Sequence, residues 1–190
     1  MWKRRPSSAD QTRAKRFEQV VLPHLDSAYN LARWLTRDEQ NAQDVVQEAY
    51  LRAYRFFDSF HGDNARPWLL TIVRNTYYTW LKQQHNAALH TAFEEEMPGL
   101  DAAEPSFGDS YAEDPEQILM QHNDRQLITL ALEKLPVEFR EVLILRELED
   151  LSYKEIARLV DIPVGTVMSR LARGRKLLEE TLKKMHGVLP

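Results

Sequence analysis

The feature that most limits how this chain can fold is the segment 91–120, which carries nine carboxylates (Glu94, Glu95, Glu96, Asp101, Glu104, Asp109, Glu113, Asp114, Glu116) and no Lys or Arg. Pro98, Gly99, Pro105, Gly108 and Pro115 punctuate it, and no helical or strand period runs through it. A structureless run of this length rarely sits inside one compact core, and unbalanced like charges resist collapse. The pattern therefore predicts an acidic flexible linker over 91–120. It divides the chain into a short N-terminal tail (1–12), a first module (13–90) and a second module (121–186). Composition alone leaves the linker either a solvated tether or an acidic element with a role of its own.

The formal net charge of −4 hides an uneven distribution. The stretch 1–90 is net +4, the linker −9, and 121–190 net +1. Two mildly basic modules flank an acidic connector, so the overall charge does not argue against a polyanionic partner. The chain has no cysteine, which excludes disulfides, thiolate zinc sites and cysteine nucleophiles. No apolar run approaches the roughly 20 residues that cross a bilayer, and Met1-Trp2-Lys3-Arg4-Arg5-Pro6 lacks the apolar stretch of a signal peptide. A cytoplasmic location is the expectation.

Both modules read as all-α. In the first, Val21, Leu25, Ala28, Ala32 and Leu35 recur at spacings of three and four, with Pro23 expected to kink or reset the helix. A second helix is predicted over Glu39–Phe57, burying Val45, Val46, Ala49, Tyr50 and Ala53. After a turn-forming stretch Asp58–Arg66, Pro67 suits the first position of a third helix, Trp68 to about Gln84. In the second module a helix over Asp124–Leu135 stops at Pro136. The next, Val137–Glu149, should place Phe139, Val142, Leu143 and Arg146 on one side. Ser152-Tyr153-Lys154-Glu155 has capping-box form and opens a short helix burying Ile156, Ala157 and Val160. A tight turn at Asp161-Ile162 and Pro163 then lead into a long helix to about Lys184, which together make a helix-turn-helix plan.

On the last helix Val167, Leu171, Gly174 and Leu178 form an apolar stripe, while Thr166, Ser169, Arg170, Arg173 and Lys176 fan across a neighbouring face free of acids until Glu179. Hydroxyls and guanidiniums on a helix N-terminal half suit a major groove, since Arg forks onto guanine or phosphate and the N-terminus presents a positive dipole end. The third helix carries Arg74, Asn75, Tyr77, Tyr78, Trp80 and Lys82, and aromatics among bases and amides suit single-stranded DNA. Each stacked base contributes roughly 1–3 kcal/mol. Opening a duplex step costs about 1.4 kcal/mol, so a few captured bases offset much of the melting. Trp68 and one of the tyrosines are expected in the core, Asn75 and Tyr78 at DNA. In the second helix Asp44, Gln47, Glu48 and Arg52 form a polar face that residue type alone leaves as either a docking patch or ordinary solvent surface.

Leu151-Ser152-Tyr153-Lys154-Glu155-Ile156-Ala157, followed by Ile162-Pro163-Val164-Gly165-Thr166-Val167-Met168-Ser169-Arg170-Leu171-Ala172-Arg173-Gly174-Arg175, closely resembles the fourth conserved region of bacterial sigma factors of the extracytoplasmic-function (ECF) group. Leu135-Pro136 with Phe139-Arg140-Glu141-Val142 looks like the start of that region. Asn41 to Tyr50 is similar to the family's polymerase-binding helix, and Pro67 to Thr76 to its promoter-melting helix. The resemblance implies a transcription initiation factor that binds core RNA polymerase through Asp44, Gln47, Glu48 and Arg52. It implies contact with the −35 element through Thr166, Ser169, Arg170, Arg173, Arg175 and Lys176. It further implies recognition and melting at the −10 element by His61, Asp63, Asn64, Arg66, Arg74, Asn75 and Tyr78, the loop 60–66 pocketing a flipped base. By the same resemblance an anti-sigma factor would hold the protein inactive, and the linker would thread near the polymerase channels as a mimic of nucleic-acid backbone. Asp161 stands where many helix-turn-helix sequences have Gly, and Met168 where relatives are often basic.

Neither a cofactor nor a metal site is expected. His85 and His90 are five apart and share no helix face, and no Walker loop or nucleophile elbow is present, so enzymatic activity is not expected. An ordinary helix-turn-helix repressor or activator is the closer rival, but it would leave the aromatic third helix and the acidic connector without a role.

Overall fold

A computed structural model describes residues 8–91 and 125–186. Apart from Thr91, the expected linker 91–120, with all nine of its carboxylates, lies outside those residues. The first module contains α1 (Ser8–Val21), α2 (Leu25–Thr36), α3 (Glu39–Phe56) and α4 (Ala65–Thr91), with 3-10 turns at Leu22–His24 and Phe57–Ser59. The second contains α5 (residues 125–133), α6 (Val137–Leu143), a π-helical turn (Ile144–Leu148), α7 (Tyr153–Val160) and α8 (Val164–His186). The fold is all-α, two small helical bundles, with no strand among the described residues.

Pro23 does reset the first helix: its ring stands in the 3-10 turn, and α2 starts with a new phase. The reset moves Leu25 out of the core, where the continuous pattern had placed it. Leu25 is 45% exposed, and Ala28, Leu31, Ala32 and Leu35 make the buried face. These pack on Ala42, Val45, Val46, Ala49 and Ala53 of α3 and on Leu69, Leu70 and Val73 of α4, with Tyr50 only half-buried. Helix α1 begins inside the stretch read as a tail. Its Phe17 meets the rings of Tyr54 and Phe57 edge-on at 5.2 Å. Helix α4 starts earlier than Pro67 because Asn64 caps it, its Oδ1 accepting from the Arg66 amide at 3.1 Å. Pro67 is then the third helical residue, where a missing N–H still costs nothing.

The second module departs from expectation in one place. Instead of a single helix over 137–149, α6 gives way to the π turn, where the Glu149 amide donates to the Ile144 carbonyl at 3.0 Å. The wider turn shifts the phase. Arg146 leaves the apolar side, donates to the Leu151 carbonyl at 2.9 Å and lies over the Tyr153 ring, while Glu149 turns inward and is buried.

Helix α7 is set by a complete capping box. The Glu155 amide donates to Ser152 Oγ at 3.3 Å, and the Ser152 amide donates to Glu155 Oε2 at 2.8 Å. The Ser152 hydroxyl, donating to Glu155 Oε2 at 2.6 Å, and after it the Ser152 amide hold the Glu155 carboxyl below its usual value. Asp161 ends α7 in the left-handed region (φ 58°), which Asp tolerates where most residues do not. Val167 and Leu171 bury the expected stripe of α8. At Gly174 the helix comes so close to α6 that a Cβ would lie 3.1 Å from Leu143 Cδ1.

The bundles pack against each other, α2 on α6 and α4 on α7, and their buried apolar residues form one continuous cluster. The Thr166–Lys176 face of α8 stays outside it. No helix among the described residues is long and apolar enough to cross a membrane. Replacing Ser152 by Ala removes the α7 cap and should cost about 1 kcal/mol of stability, read as a lower denaturation midpoint at unchanged denaturant slope; an unchanged midpoint would show that the cap contributes nothing.

Candidate nucleic-acid and polymerase interface

The helix-turn-helix presents α8 with its first turns outward. Ser169, Arg173 and Lys176 are exposed, Thr166 and Arg170 half-buried. The Ser169 hydroxyl donates to the Thr166 carbonyl at 3.0 Å, which steadies the first turn. Arg173 lies 6.0 Å over the Phe139 ring, an apolar rest for a guanidinium that remains accessible. Arg175 behaves differently from its sequence neighbours: it donates to Glu147 Oε1 from Nη2 at 2.7 Å and Nε at 3.2 Å, the bond that raises its already high pKa. Val164 and Met168 are exposed on the same outer surface.

On α3, Asp44 and Gln47 are exposed, and Glu48 and Arg52 partly so. Glu48 accepts from Arg52 Nε at 2.7 Å in the favourable i, i+4 order. The repulsion between Asp44 and Glu48 that their spacing suggests is thereby relieved, because the Glu48 carboxylate is neutralised from the other side. Helix α3 packs on α2 and α4 and turns Asp44 and Gln47 of this polar face to solvent.

The residues proposed from sequence for the −10 region split into two groups. His61, Asp63, Asn64 and Asn75 are exposed. His61 Nδ1 lies 2.7 Å from the Ser59 carbonyl, a contact that places the proton on Nδ1, and Asn64 is engaged as the cap of α4. The second group, Arg66, Arg74 and Tyr78, faces the other bundle. Arg66 donates from Nε to Ser27 Oγ at 3.1 Å and from Nη2 to the carboxylate of Glu149. Arg74 donates from Nε to Glu141 Oε1 at 2.6 Å and lies 4.6 Å over the Tyr78 ring. The Tyr78 hydroxyl reaches Glu141 Oε2 at 3.5 Å. Trp68 packs on Phe60 at 5.0 Å and Tyr77 is buried, as core residues.

Glu141 and Glu149 are therefore central to this surface, at 1% and 2% exposure, and sequence reading did not single them out. Each sits in a helical stretch beside apolar residues. Only the partner bundle shows that they are buried among cations. Burial pushes the Glu141 carboxyl upward from its ordinary value, against the pull of Arg74, Arg170 and Tyr78. Burial, followed by the nearby Glu141 charge, pushes the Tyr78 phenol up to about 12. A third contact closes the same seam. Arg37 of the first module and Arg140 of the second both donate to the Glu133 carbonyl, at 3.1 and 3.0 Å, at the negative end of α5. Burial, with Arg37 nearby, lowers the Arg140 pKa. Among the described residues no group of His, Asp and Glu is arranged to hold a metal ion.

Residues 20–87 match the model for sigma-70 region 2, and residues 125–178 the model for sigma-70 region 4. The chain is 37% identical over 145 residues to the ECF RNA polymerase sigma-E factor of Escherichia coli (strain K12), covering 75% of this chain and 74% of that protein. It belongs to the ECF sigma factors. The ECF sigma factor SigE of Mycolicibacterium smegmatis is 30% identical over 181 residues, covering 94% of this chain and 66% of that protein. Among solved structures, the sigma factor RpoE of Bartonella quintana, crystallised with the anti-sigma factor NepR, superposes with a TM-score of 0.73 at 28% identity. That match covers 89% of this chain and 98% of the other. CnrH, solved with the cytosolic domain of CnrY, shares the fold at a TM-score of 0.59 and 22% identity. In this sigma factor α2, α3 and most of α4 fall within the region 2 match, and α5 to the middle of α8 within the region 4 match.

Because burial dominates at Glu141, the folded protein binds its proton more tightly than the unfolded chain does. The resulting stability is fully present below the unfolded value of 4.5 and is lost as pH rises through the raised folded value. Thermal unfolding of wild type and Glu141→Gln across that window should show the difference moving in the variant's favour as pH increases. A difference independent of pH would contradict this assignment.

Proposed function

We propose that this sigma factor binds core RNA polymerase, recognises the −35 and −10 elements of a promoter, promotes melting of the duplex and is controlled by an anti-sigma factor. The observation that carries the reading is the α8 surface. A capped helix and a left-handed Asp161 turn present hydroxyls and cations outward, with no carboxylate on that face before Glu179. Within it Thr166, Ser169, Arg170, Arg173 and Lys176 read or grip the −35 duplex, while Arg175 first has to leave Glu147. The first module, 13–90, docks polymerase through the exposed α3 face of Asp44, Gln47, Glu48 and Arg52. It meets the −10 element through His61, Asp63, Asn64, Arg66, Arg74, Asn75 and Tyr78. The second module, 121–186, is the −35 reader, and the acidic segment 91–120 connects them inside the polymerase.

Control by an anti-sigma factor is supported by the Bartonella quintana sigma factor, which was solved with NepR and matches over both modules. The protein acts without a cofactor, by binding rather than by catalysis, and works where polymerase works, in the cytoplasm.

Permanganate footprinting with purified core polymerase and a promoter of the stress-response type tests the reading. Reactive thymines should appear around −10 with this sigma factor as the only one present. Arg173→Ala should weaken promoter binding by about 1–3 kcal/mol and relax sequence preference if it reads a base. Protection of the −35 region without thymine reactivity, with or without polymerase, would instead support a repressor or activator.

A further inference from the structure

Three of the residues assigned to the −10 surface are not free in this structure. Arg66 and Arg74 lie eight residues apart on α4, about 12 Å along the helix, and each guanidinium is held by a carboxylate of the second module. Tyr78, the aromatic ring assigned to that surface, is closed in by Arg74 on its face and Glu141 at its hydroxyl. Carboxylate and phosphodiester oxygens accept from guanidinium in the same forked geometry. A protein that buries two carboxylates on the cations it needs for DNA is offering those cations a substitute.

We infer that Glu141 and Glu149 occupy, from within the chain, the places of DNA backbone phosphates on Arg74 and Arg66, so that the free protein keeps the Arg66, Arg74 and Tyr78 part of its −10 surface closed. This rests on the −10 assignment made above. The closed form leaves Asp44 and Gln47 of the proposed polymerase face on α3, and Ser169, Arg173 and Lys176 of α8, exposed, so polymerase docking need not wait for opening. Closure is also self-limiting. Taking two carboxylates out of water is unfavourable before pairing offsets it. The paired state is therefore only modestly favoured, and competing phosphates can displace it. The Arg37 and Arg140 bonds to the Glu133 carbonyl would fix the register of the closed bundles without involving either carboxylate.

The absence of cysteine allows donor and acceptor dyes at exposed positions of the two bundles, Gln19→Cys on α1 and Lys184→Cys on α8. The test compares Glu141→Lys/Glu149→Lys, which sets like charges against Arg66, Arg74 and Arg170, with Glu18→Lys/Glu180→Lys. The latter makes the same charge change at exposed sites away from the seam. Energy transfer and binding of a fluorescent, mixed-sequence single-stranded DNA are read on the full chain. The interface variant should lose transfer and bind the strand about tenfold or more tighter than the exposed-site control, within the usual range of coupling between sites. Equal transfer in both variants overturns the inference. Reduced transfer without the gain in affinity overturns it as well, since the carboxylates would then not be occupying phosphate positions. If the double variant loses helicity, Glu149→Lys alone carries the same two readings. Footprinting of the wild type separates the two levels: no melting would defeat the −10 assignment and with it the closure, whereas melting without the tenfold gain would defeat the closure alone.

Discussion

Everything in this molecule turns on a carboxylate that has been taken out of water. Glu141, 1% exposed, is held between Arg74 and the Tyr78 hydroxyl of the opposite bundle. An isolated buried carboxylate would be strongly disfavoured, and removing one member of a buried ion pair typically costs about 3–5 kcal/mol. The contact therefore makes the two bundles depend on each other although each has its own helices and its own apolar faces. Glu149 and Arg66 repeat the arrangement, eight residues after Glu141 in the second bundle and eight residues before Arg74 on α4. The π turn makes the repetition possible, because a regular helix over 137–149 would have carried Glu149 to a different azimuth.

The rest of the second bundle follows from ordinary helix chemistry. The capping box starts α7, the left-handed Asp161 ends it, and the close approach at Gly174 seats α8 on α6. These local constraints fix the outward face of α8 independently of whether the bundles are closed. The protein thus combines a surface that is always displayed, on α8 and α3, with one that is covered, on α4. Polymerase and −35 contacts fall on the first kind in the proposed function, and Arg66, Arg74 and Tyr78 of the −10 contacts on the second, while His61, Asp63, Asn64 and Asn75 are exposed.

Much of this was legible before any coordinates. The periodicities of α2, α3 and α8 identified Ala28, Ala32, Leu35, Val45, Ala49, Val167 and Leu171 as core, and the Ser152–Glu155 spacing marked the start of α7, because such patterns report interactions within a few residues of one another. The misreadings have the same root. Leu25 was assigned to the core on a pattern that ran through Pro23, and Arg146 to the apolar side on a helix that in fact widens into a π turn. Glu141 and Glu149 were invisible as site residues since their meaning lies in guanidiniums more than sixty positions away. Arg175 likewise looked like one more DNA-facing cation until Glu147 was seen to hold it.

The central claim is that Tyr78 and its neighbouring arginines serve the chain's own carboxylates in the free protein and DNA in the promoter complex. A photo-crosslinking residue, p-benzoylphenylalanine, in place of Tyr78 tests this most directly. In the free chain it should link to α6 around Glu141. Once core polymerase and promoter DNA are added, that link should disappear in favour of a crosslink to the −10 strand. Persistence of the α6 link in a complex that has melted its promoter, or its absence from the free chain, would contradict the account.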